Sequence, residues 1–478
     1  MKPNPAALES TGPLWSRRRL LKTLSAGFGW TAFAGLASAA SSTEPLPVAA
    51  SATVHPLAPR APHLPPRARR VIFLCMQGGP AHQDLFDYKP RLQADHGKPA
   101  DGRGKGNRYV GSPFGFRRHG ESGLWISDAL PHLARQADRL CVVNSMRTDI
   151  PNHPQAQVQL HTGSARFVRP SMGSWVLYGL GNPNENLPGF VNLGPPAGAG
   201  AANYGSAFLP GVYQGTRIDV GRGGPGGPGG NGMSHVSNPR LYSDQQRRQL
   251  DLVQSMNREF ERNTGGPDGD IEAVIEAGEL AFRMQSEVPH LLDLSRESEA
   301  TRRLYGVGEE GTDAFARRCL LARRFAEAGS RFIEVNLGGW DQHRDLENAL
   351  RRNCRALDRP AAALLQDLEA RGLLDDTLVV WGGEFGRTPD SRQENGRDHN
   401  HQGFTMWLAG GGAKGGHVHG ATDEHGGKAV VDPVHVHDLH ATILHSLGLD
   451  HERLTYRSGG RDYRLTDVHG EVVRGILA

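Results

Sequence analysis

The sequence has few cysteines, little excess charge and no paired-thiol motif, and each deficit excludes a class of protein. Its 478 residues include only four cysteines, none in a Cys-x-x-Cys arrangement. The cysteines lie far apart within apolar stretches, which predicts buried free thiols rather than a thiolate zinc site. The formal net charge is only +3 at pH 7, so the composition argues against a nucleic-acid partner.

A basic segment followed by a short apolar one stands at the N-terminus. The stretch SRRRLLK begins at residue 16 and precedes TLSAGFGWTAFAGLASAA. This order is typical of a twin-arginine signal peptide, which predicts export to the periplasm, the cell envelope or the medium. The apolar run is short and rich in glycine, so we expect no stable membrane span after cleavage, with an uncleaved anchor as the alternative. We predict a signal over residues 1–40 and a flexible Pro/Ala-rich linker over 41–70.

Apolar runs alternate with amphipathic helical patterns after the linker. Five runs predict buried strands: RRVIFLCMQGG from residue 69, RLCVVNSM from 139, GSRFIEVNLGGWD from 329, DTLVVWGGEFG from 376 and FTMWLAGGG from 404. The alternation predicts an α/β fold over residues 71–478, with a mostly parallel central sheet flanked by helices on both faces. The glycine-rich segment at 221–233 predicts an inserted loop.

Polar side chains that can bind a metal follow four of these runs. Carboxyl ends of parallel strands meet at one edge of a sheet, so we expect these side chains to lie together. Two residues in positions i and i+2 of an extended segment also face the same way. The candidate ligands are Asp341, His343, Glu384, Asp398, His399, His82 and Asp84. Surface turns with solvated carboxylates and chance histidines are the alternative.

An anion site is predicted beside these ligands. Asn152 and His153 precede a helical pattern that ends at Thr162, and a helix N-terminus favours phosphate or sulfate. An ordinary proline-rich helix start is the alternative. Arg387 is expected either to bind an anion or to pair with Glu384.

Seven ordered motifs also carry a family resemblance. They are GGPAHQDLFDYKP, NHPQAQVQLHTG, RPSMGSWVLYGLG, GGWDQH, GEFGRTP, GRDHN and LAGGGAKGGHVHGATD. Together they make the chain resemble the domain-of-unknown-function 1501 family of exported bacterial proteins. That family is placed in the alkaline-phosphatase-like superfamily, with sulfatases, phosphatases and phosphoglycerate mutases. The resemblance implies an alkaline-phosphatase-like fold with a divalent-metal site at the strand ends.

The superfamily's ligands carry over only in part. Asp341 and His343 resemble its metal-binding Asp and His pair, and Glu384 stands in the place of a later aspartate. Phe385 stands where a histidine is expected, which leaves Asp398 and His399 to replace it. The aspartate expected after the first strand is absent, so His82 or Asp84 would have to stand in.

The nucleophile is the main departure from the superfamily. Where sulfatases have a cysteine or serine, this chain has His153 beside Asn152, with Ser145 and Thr148 as further candidates. His153 is then expected to accept phosphate, to bind metal, or to mark a site that uses water.

These observations predict an exported metal-dependent hydrolase of phosphate or sulfate esters, such as those of a sulfated or phosphorylated carbohydrate. One or two divalent ions, zinc, manganese or calcium, would be its cofactors. His153, Asn152 and Arg387 are the candidate catalytic residues, and Arg147 and Lys414 would neutralise the substrate's charge. The alternative is a non-catalytic envelope protein that uses a metal-stabilised fold to bind an anionic polysaccharide or a partner protein.

Overall fold

The computed structural model describes residues 55–100, 106–195, 200–220, 242–264, 269–393 and 395–478. The predicted signal peptide, the first part of the predicted linker and the glycine-rich segment at 221–233 lie outside these ranges.

The remainder of the predicted linker is packed rather than flexible. The side chain of Leu57 is buried in the core. The backbone N–H groups of Arg60 and Arg67 donate hydrogen bonds to the carbonyl oxygens of Leu180 and Ser446. The folded domain therefore begins before the predicted boundary at residue 71.

Within the described residues, a nine-stranded sheet forms the centre of the domain. Its strands are β1 (Arg70–Met76), β2 (Cys141–Arg147), β3 (Phe190–Leu193), β4 (Thr216–Ile218), β5 (Phe332–Leu337), β6 (Thr377–Gly382), β7 (Phe404–Ala409), β8 (His417–His419) and β9 (Val434–His435). The spatial order is β8-β2-β7-β6-β1-β5-β3-β4, and β9 also pairs with β2. Among the sheet strands that the structure describes, only β7 runs antiparallel to its neighbours, β2 and β6. The mostly parallel sheet is therefore confirmed, and each of the five predicted strands belongs to it.

Helices cover both faces of this sheet. Within the described residues they are α1 (Pro90–Ala94), α2 (His153–Thr162), α3 (Met172–Leu180), α4 (Ser243–Thr264), α5 (Gly269–Leu292), α6 (Glu299–Tyr305), α7 (Asp313–Glu327), α8 (Leu346–Ala370) and α9 (Val436–Ser446). In α8 the buried residues Leu350, Leu357 and Leu364 recur every seven positions and form one apolar face. None of the helices in the described ranges combines the length and the apolar character needed to cross a membrane.

Short elements surround the sheet. Single 3-10 turns lie at His82–Asp84, Ala201–Asn203, Gly211–Tyr213, Leu294–Arg296 and Arg474–Ile476, and a longer 3-10 helix of seven residues spans Leu133–Arg139. Two-stranded ribbons pair Arg108–Tyr109 with Asp390–Ser391, Phe116–His119 with Leu124–Ser127, Gly386–Arg387 with His399–Asn400, Ala421–Thr422 with Ala429–Val431, and Tyr456–Ser458 with Arg461–Tyr463. The ribbon that places Arg387 opposite His399 folds the loop after β6 back on itself.

The carboxyl ends of β1, β2, β5 and β6 lie at the same edge of the sheet, and the antiparallel β7 begins there. Gly78, just after β1, adopts a φ of +113°, a conformation that disfavours other residues. A Cβ atom at this position would lie 2.6 Å from the backbone nitrogen of Asp341. The absence of a side chain at Gly78 therefore lets the turns after β1 and β5 meet.

Candidate functional site

Three histidines converge on one carboxylate oxygen at this edge. Asp341 and His343 follow β5, His399 lies on the loop between β6 and β7, and His153 begins α2. The Nε2 atoms of His153, His343 and His399 lie 3.1, 3.0 and 3.3 Å from Asp341 Oδ1. The ligand atoms of His153, Asp341 and His399 all lie within 4.8 Å of one another. We refer to these four residues as the outer cluster.

Each of the three imidazoles is oriented by an acceptor on its other nitrogen. The Nδ1 atoms of His153, His343 and His399 lie 2.5, 3.1 and 2.8 Å from Glu384 Oε1, Asp398 Oδ1 and Pro151 O. Carbonyl and carboxylate oxygens only accept, so Nδ1–H is the donor in each pair and Nε2 points into the cluster. Metal-binding histidines are held in this way.

Two of these Nε2 atoms also face each other. His343 Nε2 and His399 Nε2 are 3.0 Å apart. Burial lowers the pKa of His399, and the charge of Arg387 opposes its protonation further. Two neutral imidazoles with their Nδ1 atoms protonated would direct lone pairs at each other, an arrangement that a cation between them relieves. The donor set therefore fits a divalent metal.

Glu384 connects β1, β6 and α2 from a completely buried position. Its Oε1 accepts a hydrogen bond of 3.0 Å from the backbone N–H of Gly78, and its Oε2 accepts one of 2.9 Å from Gln157 Nε2. Burial lowers the pKa of His153, but the hydrogen bond and charge of Glu384 outweigh that effect and raise it above the ordinary value. Glu384 thus fixes the orientation of the His153 ring by accepting a hydrogen bond from Nδ1, on the side away from Asp341.

Arg387 is fully buried and binds Asp341, not Glu384. Its Nη2 donates to Asp341 Oδ1 at 2.5 Å and also to the Gly78 carbonyl, while its Nε donates to the Gly79 carbonyl at 3.0 Å. Burial raises the pKa of Asp341, but the hydrogen bond and charge of Arg387 hold that pKa well below its usual range. Asp341 is therefore kept ionised within the outer cluster.

The assignment of His82 and Asp84 as metal ligands disagrees with their placement. His82 is buried, and its Nε2 lies 2.9 Å from the Gly426 carbonyl oxygen. Asp84 accepts two hydrogen bonds, of 2.8 and 2.9 Å, from the fully buried guanidinium of Arg397. A buried arginine needs such a carboxylate partner, so Asp84 is an anchor for the loop after β6 rather than a ligand.

Lys414 lies at the opposite edge of the sheet. It follows β7, which runs away from the outer cluster, and its backbone N–H donates to the Ile476 carbonyl. The direction of β7 therefore contradicts the prediction that Lys414 binds the substrate. Arg147 ends β2 at the near edge, where it lines a polar cavity of about 360 Å³ with His401 and Lys428.

The side chains near the start of α2 offer no activated hydroxyl among the described residues. Ser145 Oγ donates to the Asp432 carbonyl at 2.6 Å, and Thr148 Oγ1 donates to Gln159 Oε1 at 3.1 Å. Asn152 occupies the position before α2, and its side chain makes no capping hydrogen bond. Neither hydroxyl is therefore paired with a base that would activate it as a nucleophile.

Sequence reasoning missed Gln157 and the backbone groups that complete the site. Gln157 lies four residues after His153 on α2, so both side chains face the same way and both contact Glu384. That i, i+4 spacing was a signal in the sequence. The roles of the Gly78 amide and the Pro151 carbonyl had no such signal.

Comparison with known proteins gives a family and distant structural similarities. A family model described as "Protein of unknown function (DUF1501)" matches residues 68–477, which confirms the family resemblance of the motifs. No curated protein matches the sequence.

Several solved structures share part of the architecture. PsFucS1 sulfatase from Pseudoalteromonas sp. is 13% identical, with 81% of this chain and 68% of that chain covered and a TM-score of 0.34. The lipoteichoic acid synthase LtaP from Listeria monocytogenes is 9% identical, with 84% and 74% covered and a TM-score of 0.32. The C-terminal periplasmic domain of EcEptC from Escherichia coli, in complex with Zn, is 11% identical, with 82% and 88% covered and a TM-score of 0.32. Similarities of this size do not bear on function.

Proposed function

The chain belongs to the DUF1501 family, and from that premise we propose that it is an exported metal-dependent hydrolase of phosphate or sulfate esters. The outer cluster carries the proposal, because the Nε2 atoms of His153, His343 and His399 meet at Asp341 Oδ1. Three oriented imidazoles and an ionised carboxylate form a donor set that suits zinc, with manganese as the next candidate.

The four residues of the outer cluster would hold the ion together. A divalent ion bound there would supply Lewis-acid polarisation of the ester oxygens. Glu384 and Asp398 keep the rings of His153 and His343 aimed, which makes them positioning residues. About half of the Asp341 side chain is exposed, so a substrate can reach the cluster from solvent.

Two features near the cluster suit an anionic ester. The first-turn N–H groups of α2 lie beside His153, and helix N-termini favour phosphate and sulfate groups. Arg387 places a positive charge beside Asp341, to which it donates a hydrogen bond, and Arg147 places another at the end of β2. Because the hydroxyls of Ser145 and Thr148 are engaged with the Asp432 carbonyl and with Gln159, we expect a water molecule to be the attacking group.

The test is metal content measured with hydrolysis of generic aryl phosphates and aryl sulfates. Protein purified without chelators should contain a divalent ion in the outer cluster and hydrolyse one ester class, and His399→Ala should lose the ion of the outer cluster and the activity. His425→Ala is the matched control, because His425 pairs with Asp95 outside the outer cluster. Bound metal without turnover of either ester would instead favour the non-catalytic envelope protein that binds an anionic polysaccharide or a partner.

Export rests on the twin-arginine pattern in the first forty residues. Fractionation of cells that produce the full chain should place it outside the cytoplasm, and replacing Arg17 and Arg18 with lysine should retain it inside. Export of the lysine variant would remove this part of the proposal.

A further inference from the structure

A second group of metal-capable side chains lies inside the domain, between the sheet and α2. Cys75 is on β1, Glu334 is on β5 and His161 is near the end of α2, and none is more than 2% exposed. Their ligand atoms lie within 4.8 Å of one another. His161 Nε2 is 3.2 Å from Glu334 Oε1 and 4.0 Å from Cys75 Sγ.

The ring of His161 is oriented toward the other two side chains. Its Nδ1 lies 2.7 Å from the Gln157 carbonyl oxygen, which can only accept a hydrogen bond. Nδ1 therefore carries a proton, and Nε2 faces Glu334 and Cys75. This is the tautomer and orientation of a histidine that binds a metal through Nε2.

The carboxylate of Glu334 lacks the hydrogen bonds that a buried charge needs. Neither of its oxygens accepts a hydrogen bond from any residue within the described ranges. His161 Nε2 is close to Oε1 but outside hydrogen-bond geometry, so the pair alone leaves the carboxylate under-satisfied. The side chain is wholly buried and directed at the two other potential ligands.

We propose that Cys75, His161 and Glu334 form a buried zinc site that is separate from the outer cluster. With Glu334 binding through both oxygens, the site offers four donor atoms, the number that structural zinc prefers. Zinc bonds of about 2.0 to 2.3 Å at near-tetrahedral angles place atoms of different ligands roughly 3.3 to 3.6 Å apart. The 3.2 Å contact of His161 with Glu334 is close to this spacing, and the 4.0 Å contact of Cys75 with His161 would shorten on binding.

Charge balance favours zinc in this position. A thiolate, a carboxylate and a neutral imidazole around a divalent ion sum to zero, which suits a site without solvent. The thiol of Cys75 would release its proton to solvent as the ion binds during folding. Without metal, burial raises the pKa of Cys75 far above that of an ordinary thiol, which leaves the thiol inert.

The buried site would also stabilise the start of α2. The carbonyl of Gln157 accepts from His161, while the side chain of Gln157 donates to Glu384. An ion on His161 would therefore fix the segment of α2 that positions Glu384 and His153. The sequence gives no hint of this site, because its ligands are 86 and 173 residues apart along the chain.

Cobalt distinguishes the two sites, because the outer cluster contains no thiolate. The full chain produced in cobalt-supplemented medium should show the ultraviolet charge-transfer band of a cobalt–thiolate bond, and X-ray absorption of the zinc form should show a sulfur ligand. Cys75→Ser should lose the band and about one metal ion per chain. Cys319→Ser is the matched control, since Cys319 is equally buried but lies outside this group.

The test of the buried site does not depend on whether the protein is a hydrolase. His399→Ala should lose metal from the outer cluster and keep the cobalt–thiolate band. Cobalt-loaded wild-type protein without the band, or a Cys75→Ser variant with unchanged metal content and spectrum, would overturn the buried site. If Cys75→Ser does not fold, the spectra of the wild-type chain decide the question alone.

Discussion

His153 Nδ1 lies 2.5 Å from Glu384 Oε1, so a completely buried carboxylate holds the ring with which α2 begins. The same carboxylate accepts hydrogen bonds from the Gly78 amide and from Gln157. It therefore ties the end of β1, the end of β6 and the first turns of α2 to one point. The geometry of the outer cluster depends on that point.

Glu384→Gln should weaken metal binding without replacing any ligand. The amide preserves the shape, but its NH₂ group must face a donor, either Gly78 N–H or the Gln157 amide. We expect metal affinity to fall about 10- to 100-fold and the free energy of unfolding to fall by about 1–3 kcal/mol. Competitive metal titration and denaturant unfolding measure these effects. Glu369→Gln, at an exposed pair with Arg139, is the control, and wild-type affinity in Glu384→Gln would contradict the positioning role.

Arg387→Lys should be severely destabilising although it keeps the charge. The guanidinium donates to Asp341 and to the carbonyl oxygens of Gly78, Gly79 and Arg397 from a site with no solvent exposure. An ammonium group cannot reproduce this set, so unpaired buried acceptors would cost about 3–5 kcal/mol. Urea unfolding compares this variant with Arg139→Lys, whose exposed pair should tolerate the change. Equal stability of the two variants would refute the anchoring role of Arg387.

His82→Gln and His343→Gln should differ in metal content. A glutamine at position 82 can still donate to the Gly426 carbonyl, and His82 lies outside the outer cluster. A glutamine at position 343 removes an imidazole that lies 3.0 Å from Asp341 Oδ1. We expect His82→Gln to retain the metal content of the wild type and His343→Gln to lose the ion of the outer cluster, as measured by elemental analysis of purified protein. Metal loss in His82→Gln with an unchanged fold would restore His82 as a ligand.

The location of the site was predictable, because it follows from strand patterns. Apolar runs that end in glycine identify buried parallel strands, and the polar residues after them must share an edge. The spacing of Asp341 and His343 and the returning loop to His399 were therefore visible in the sequence. Their convergence at 3.0 and 3.3 Å follows from the fold.

The partners of individual residues were not predictable in the same way. A carboxylate that follows a strand has the same local sequence whether it binds a metal or an arginine, and Arg397 stands 313 positions after Asp84. The composition of an apolar run likewise does not show whether its strand is parallel or antiparallel to the neighbouring strands. The antiparallel course of β7 therefore reversed the predicted position of Lys414. Such pairings depend on long-range topology.

A buried histidine on α9, in contact with the C-terminal part of α2, makes the free energy of unfolding depend on pH. His440 on α9 is fully buried, and its Nε2–H donates to the Leu160 carbonyl at 2.7 Å. Burial lowers the pKa of His440 to about 3 in the folded state, and the neighbouring His437, His435 and His161 oppose its protonation further.

The sign of the pH effect follows from these values. The pKa of His440 in the unfolded chain is near the ordinary 6.5, so below that pH protons bind the unfolded chain preferentially. Its contribution is complete above about pH 6.5 and is lost progressively as the pH falls toward 3. Between pH 6.5 and 5 the loss amounts to about 1.6 kcal/mol.

His440→Gln should remove this part of the pH dependence, because glutamine can donate to Leu160 but does not titrate. Urea unfolding at pH 6.5 and pH 5 should therefore show a smaller loss of stability in the variant than in the wild type. The matched substitution His425→Gln, at a partly exposed pair with Asp95, controls for histidine replacement as such. An equal loss in His440→Gln and the wild type would mean that His440 is not held neutral by the fold.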